Sequence, residues 1–348
     1  MNNFAAFCRF FAILTCLSTV QSHAIGNQAK IVIDHDGGAD DAMAIFIALL
    51  REKYFLGPEV VAITTVHGNV NETQAFENTQ RILNVAERPE VPIYRGSMNA
   101  LIRDYPQDHY FGFDGLGDSP EVRYSALREQ PQHAVVALLI LSKLYEGQLI
   151  VVAIGPLTNI ALAMKLDPDF LGRLKHLYIG GSNVEGASFP NPEFNALQDV
   201  EAYYIMTKNA NPHKVTVVPF SETVLSMPIS SEWRLNTLGA IKTKIMKEQN
   251  QFEAVSLPKG PIWTFLDPVV SSIAQDNNII AKELSSNNNI TLSGPKRGIT
   301  TNNFTSDEPN IKLVTTGAEE YYKQFLLETF SAEVQEYYPE NTYEWVYS

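Results

Sequence analysis

From Lys30 onward the chain alternates short runs rich in β-branched residues with stretches whose apolar residues recur at helical spacing. The runs are "KIVID", "VVAITTV", "VPIY", "LIVVAIG", "HLYIGG" and "KVTVVP". Strands separated by helices pair in parallel, since each return to the same sheet requires a crossover. The order therefore predicts a mostly parallel, doubly wound (Rossmann-like) α/β sheet. The helix after the first run carries Ala42, Ile45, Phe46 and Leu49 on one face, as an amphipathic helix does, and starts at Asp40 and Asp41. No repeat or low-complexity linker interrupts the pattern, and 25–348 is expected as a single domain. Beyond about residue 220 the sequence reads first as mostly helical and then as strands and turns rich in Asn and Gly: a helical flap and a closing β segment on the same core.

The first strand ends in "DHDGGADD", four aspartates within eight residues. Ligands of open parallel sheets sit beyond the carboxyl ends of the strands. The two glycines allow the sharp strand-to-helix turn. Carboxylates at this density repel one another and raise each other's pKa values unless a cation compensates. The positive end of the following helix helps Asp40 and Asp41. Asp34 and Asp36 need another partner, and a hard divalent ion with oxygen ligands supplies it, Ca²⁺ being the better candidate. A plain helix start with solvated acids is the alternative. An EF-hand loop fits poorly, since its twelfth position, counted from Asp34, is Ile45 rather than Glu.

The composition narrows the partners. A net charge of −13 over 348 residues, without a Lys/Arg run, speaks against nucleic acid and anionic membranes. Residues 1–24 read as a signal peptide: Arg9, an apolar run to about Val20, then Ser22-His23-Ala24, with cleavage expected after Ala24 and a secreted, extracellular product. Both cysteines, Cys8 and Cys16, fall in that segment, so the mature chain would have neither disulfides nor a thiol nucleophile. Asn71, Asn289 and Asn303 head sequons usable for glycosylation in a eukaryotic secretory pathway.

"DHDGGADD" resembles the DxDxGxDD signature of the inosine-uridine-type nucleoside hydrolases, which cleave the N-glycosidic bond of ribonucleosides with Ca²⁺. The resemblance continues in order through "ITTVHGN", "FGFDGLGD", "IGPLTNIALA", "YIGG", "PEFNALQDVEA" and "LDP". It implies that Asp36 binds the metal and takes a proton from the attacking water, with Asp41, Asp267 and the Thr158 carbonyl as further ligands. It also implies ribose contacts from Asp40, Asn69, Glu193 and Asn195, and leaves Asp34 a supporting place behind the ligands. Such a cluster would stabilise the oxocarbenium-like charge that develops on the sugar. Taken singly, Asn69 reads as a turn residue, Thr158 as a helix N-cap and Asp267 as a helix start.

Two positions depart from that family's pattern: Phe111 and Leu266 stand where the inosine-uridine type has histidines associated with the leaving base. Without these acids pyrimidine nucleosides are disfavoured. Purine activation by aromatic stacking is implied instead, with Phe111, Phe113, Trp263 and Phe265 as candidates. His67 and His109 are the alternative acids. A further family asparagine has Asn183 as its shifted candidate, a gapless count giving Ala187. The sequence thus implies a secreted Ca²⁺-dependent, purine-leaning nucleoside hydrolase, with a homo-oligomer left open. The competing readings are a metal-dependent phosphatase of the haloacid-dehalogenase type, with Asp34 as nucleophile, and a catalytically silent nucleoside-binding protein.

Overall fold

A computed structural model describes residues 28–119, 129–184 and 188–337. The expected signal segment, both cysteines and Ala187 lie outside the described residues. Among the described residues nine strands form one sheet: β1 (Lys30–His35), β2 (Glu59–Thr65), β3 (Ile93–Tyr94), β4 (Leu149–Ala153), β5 (His176–Gly180), β6 (Val215–Val218), β7 (Ile280–Ile290), β8 (Thr300–Asn303) and β9 (Ile311–Gly317). Their spatial order is β3-β2-β1-β4-β5-β6-β9-β7-β8. The first seven in that order run parallel, and β7 and β8 close the edge antiparallel, as the α/β alternation implies.

Side-chain alternation sorts the strands between two cores. Ile31, Ile33, Ile150, Val152 and Val218 face one, and Val32, Leu149, Val151, Leu177, Val215 and Val217 face the other. On the first face lie helices α1 (Ala39–Phe55), α2 (Glu72–Val85), α3 (Lys244–Phe252), α4 (Leu266–Gln275) and α5 (Glu319–Tyr337). Asn71, one of the sequon residues, caps α2 by accepting from the Gln74 amide at 3.0 Å.

The amphipathic reading of α1 is corrected by the packing. Every residue from Ala39 to Leu50 is buried, because α4 covers the side that the sheet does not, and α3 and α5 close the remainder. The expected helical flap likewise packs into this core, with Ile245, Met246, Phe252, Trp263 and Leu266 through Ala274 buried. Asp267 is thereby fixed in the first turn of α4, beside the start of α1.

Strand β1 pairs with β2 on one side and β4 on the other. The chain winds outward from β1 to β3 and then returns to place β4 at β1's other edge, which makes a switch point between β1 and β4. The crevice beyond their carboxyl ends is where an open α/β sheet places its ligand. Among the described residues no helix is long and apolar enough to cross a membrane.

Candidate functional site

The turn from β1 into α1 builds the floor of that crevice. Gly37 adopts φ +89°, a conformation open to glycine and costly for other residues. Asp41 then folds back, accepting the Gly38 amide at 2.6 Å and the Asp36 amide at 3.3 Å. Asn69, in the loop after β2, holds both oxygens of Asp36: its amide N–H donates to Oδ2 and its side chain to Oδ1, each at 2.8 Å. Gly68 permits this approach, since a Cβ there would lie 1.9 Å from Asp36 Oδ2. Asn69 is thus the orienting partner of Asp36 rather than a mere turn residue.

Asp34 lies one layer deeper, fully buried. Its Oδ1 accepts from Thr64 Oγ1 at 2.5 Å and from Asn159 Nδ2 at 2.8 Å. Asn159 also donates to the Thr65 carbonyl at 2.9 Å and accepts from Ser97 N and Oγ, tying the ends of β1, β2 and β4 together. The carboxylate is thereby closed off from the crevice, where a phosphatase-type nucleophile would have to stand. Burial pushes its pKa up to about 7.

Asp40, Asp41 and Asp267 bring one carboxylate oxygen each to within 4.8 Å of one another and could hold a metal ion. Burial raises all three pKa values well above the usual carboxylate range. The charges that push Asp41 further are those of Asp36, Asp267 and Asp40, all of the same sign. His35 Nδ1 lies 3.7 Å from Asp41, but burial lowers that imidazole to about 3, so it stays neutral, with Nε2 bonded to Thr79 at 2.8 Å. The donor set is all hard oxygen and lacks an opposing charge, which is the chemistry a divalent cation satisfies. The carboxylates gathered here include Asp40, expected only at the ribose, while Asp36 is engaged by Asn69.

Thr158 opens the helix after β4 and is not its cap, which is Leu157. Its hydroxyl donates to Asp199 Oδ2 at 2.7 Å and meets His67 Nε2 at 3.1 Å. His67 is therefore spent on Thr158. Glu193 caps the short helix Phe194–Gln198, accepting from the amides of Ser182, Asn195 and Ala196, and burial raises its pKa to about 7. Asn195 donates to the Ile154 and Gly180 carbonyls and leaves a buried Oδ1 without a partner. Asn183 spends its amide on the Asn191 carbonyl and the Ser221 amide.

Above this floor opens a cavity of about 320 Å³, lined by Asp40, Asn69, Phe111, Asn183, Glu193, Asn195 and Asp267 among the expected residues. Asp36 and Asp41 lie buried beneath it. Phe111 presses on the acidic turn so closely that a Cβ on Gly38 would stand 2.9 Å from its ring. The other expected aromatics are elsewhere. Trp263 and Phe265 stack on each other at 4.6 Å inside the core, and Phe113 is 76% exposed, turned against His109. The aromatic walls are instead Tyr110, Phe111, Phe189, Phe194 and Phe220. Tyr110 stood beside the quoted "FGFDGLGD" segment and Phe194 inside "PEFN", but no periodic signal joins residues that only the fold brings together.

The inosine-uridine preferring nucleoside hydrolase family model matches residues 31–324. A probable uridine nucleosidase from Arabidopsis thaliana is 37% identical over 186 residues, covering 51% of this chain and 56% of that protein. The match spans little more than half the length of the first curated relatives, 56%, 52% and 58%. Among solved structures, a plant nucleoside hydrolase superposes with TM-score 0.78 at 25% identity, covering 87% of this chain and 99% of that one. A purine-preferring ribonucleoside hydrolase from Gardnerella vaginalis shares the fold with TM-score 0.76 at 24% identity, covering 88% and 99%.

Proposed function

The chain belongs to the inosine-uridine preferring nucleoside hydrolase family, and from that premise we propose that it is a secreted, Ca²⁺-dependent N-ribosyl hydrolase that releases base and ribose, favouring purine nucleosides. The observation that carries this reading is the buried set of Asp40, Asp41 and Asp267, uncompensated by cationic side chains, on the floor of an aromatic-walled cavity. The two relatives described above differ in substrate, one named for uridine and one for purines. The purine preference rests on the walls, where five aromatic rings and, among the described residues, no histidine line the cavity.

Asp41 and Asp267, with Asp36 or Asp40 and the Thr158 carbonyl, would hold the ion. When bound, calcium supplies the positive charge that offsets their repulsion and makes a water easier to deprotonate. Asp36 accepts the proton of that water. Its two hydrogen bonds from Asn69 fix the direction of the carboxylate, so the orientation is set before substrate arrives. Asp40, Glu193 and Asn195 line the cavity as acceptors for ribose hydroxyls. The same ring of oxygens favours positive charge on the sugar as the C–N bond lengthens. The base leaves with the bond's electron pair.

Ribose release from inosine, guanosine, adenosine and uridine, with calcium and with chelator, tests this function. Turnover that is fastest on the purines and lost on chelation is expected. No ribose from any nucleoside in calcium would overturn the hydrolase reading, and binding without turnover would select the silent alternative. Mass spectrometry of protein collected from the medium of a secreting host tests the cleavage after Ala24 and the occupancy of the sequons.

A further inference from the structure

The two absent histidines leave the cavity without an imidazole at the base, yet the residues next to those positions meet there. Tyr110 directly precedes Phe111, Thr264 lies two residues before Leu266, and their hydroxyls are 2.9 Å apart on the cavity wall beside Asp40. We propose that Tyr110, paired with Thr264, is the leaving-group contact, donating a hydrogen bond to the departing base. The proposal rests on the nucleoside-hydrolase reading above.

Two hydroxyls carry two protons, and their mutual hydrogen bond uses one. The other remains available to a ligand in the cavity. Two of the other polar side chains on the walls, Asn183 and Asp108, are poorer donors. The Asn183 amide already gives one of its two N–H groups to Asn191, and the Asp108 carboxylate, which accepts the Tyr110 amide at 2.9 Å, can only accept. His67 is bonded to Thr158, and His109 packs outward against Phe113.

The Tyr110 ring is positioned by its surroundings. It stands edge-on to Phe111 at 4.9 Å, Lys259 Nζ lies 4.4 Å from its centroid, and the same ammonium donates to the Tyr110 carbonyl at 2.6 Å. Burial holds the phenol above its ordinary pKa, so the O–H stays a donor. In the reaction the C–N electron pair passes to the base, the hydrogen bond draws density from that pair while Tyr110 keeps its proton, and the departing anion takes its proton from solvent. Asp36 takes the proton of the attacking water, as before.

The test separates leaving-group contact from ribose binding. Tyr110→Phe and Thr264→Val are assayed with calcium on inosine and on 4-nitrophenyl β-D-ribofuranoside, whose leaving group departs without help. Tyr110→Phe is expected to lower kcat on inosine by about 10- to 100-fold with KM within about threefold, and to change the nitrophenyl riboside by less than about twofold. Thr264→Val, which leaves the phenol in place, shows the same split in smaller measure. Equal losses on both substrates, or no loss on inosine, would overturn the role of Tyr110. A wild-type protein that cleaves neither substrate would instead sink the hydrolase reading and this proposal with it.

Discussion

Glu253 and Asp267 are both buried carboxylates in the chain that follows β6, and their surroundings are opposite. Glu253 is paired with the guanidinium of Arg234, receives Trp263 Nε1 at 2.6 Å, and is 2% exposed. Arg234 is itself fully buried, with its guanidinium 5.7 Å from the Trp263 ring and a further hydrogen bond to Asn250 at 2.9 Å. Asp267 sits among Asp36, Asp40, Asp41 and Glu193, whose charges have the same sign as its own. Where a charge only has to hold the fold, the chain supplies a cation of its own. At the crevice the described residues supply no such cation, and the proposed ion would take its place.

The largest effect is expected at Asp36, beside Asp267 in the acidic cluster. Asp36→Asn removes the base together with one of the two acceptors that Asn69 holds, so kcat on the best nucleoside should fall about 10³-fold, roughly 4 kcal/mol, with the fold intact by circular dichroism. Activity within tenfold of wild type would show that another group takes the proton. Next, Arg234→Ala strands Glu253 as an uncompensated buried charge and should destabilise the protein by about 3–5 kcal/mol in urea unfolding. A loss below about 1 kcal/mol would mean that the pair is not the satisfied cluster described here.

A smaller effect concerns pH. Asp34 and Glu193 have folded pKa values of about 7, above their ordinary 3.8 and 4.5. Between about pH 4 and 7 the folded state holds protons the unfolded chain has lost, so their contribution to stability is present at pH 4 and disappears as pH rises through 7. His176 works in the opposite sense. Burial lowers it to about 4, so it costs stability as pH falls from 6.5 toward 4. The two effects oppose, and the difference between calcium-loaded and chelated protein isolates the site. That difference in Tm should grow from pH 4.5 to pH 7.5 as the ligands deprotonate. A difference that shrinks over this range would contradict a carboxylate-bound ion.

Much of this arrangement was legible in the sequence because its signals are local. Strand periodicity, the glycines of the acidic turn and the aspartates at a strand end all lie within a few residues of one another, and the α/β sheet carries them as expected. The sheet's far edge was harder to read, because β9 inserts between β6 and β7, and pairing order leaves no local mark. The burial of α1 escaped for a similar reason: the helix that covers it is more than two hundred residues away in sequence. The aromatic walls come from three separate segments, so Tyr110, Phe189 and Phe220 could be assigned only once the fold had joined them. Asn159 lay inside the quoted "IGPLTNIALA" run, yet its brace on Asp34 depends on contacts from β2 and from Ser97.

We propose that Asp40, Asp41 and Asp267 repel one another until a divalent cation joins them. Melting of wild type and Asp267→Asn, each with chelator and with excess calcium, tests it most directly. Calcium should raise the wild-type Tm by about 5 °C, as a ligand at about one hundred times its Kd would. In chelator, Asp267→Asn should be the more stable of the two by about 1 kcal/mol, because one repelling charge is gone, and it should respond weakly to calcium. A variant less stable than wild type in chelator, with neither protein responding to calcium, would contradict the account.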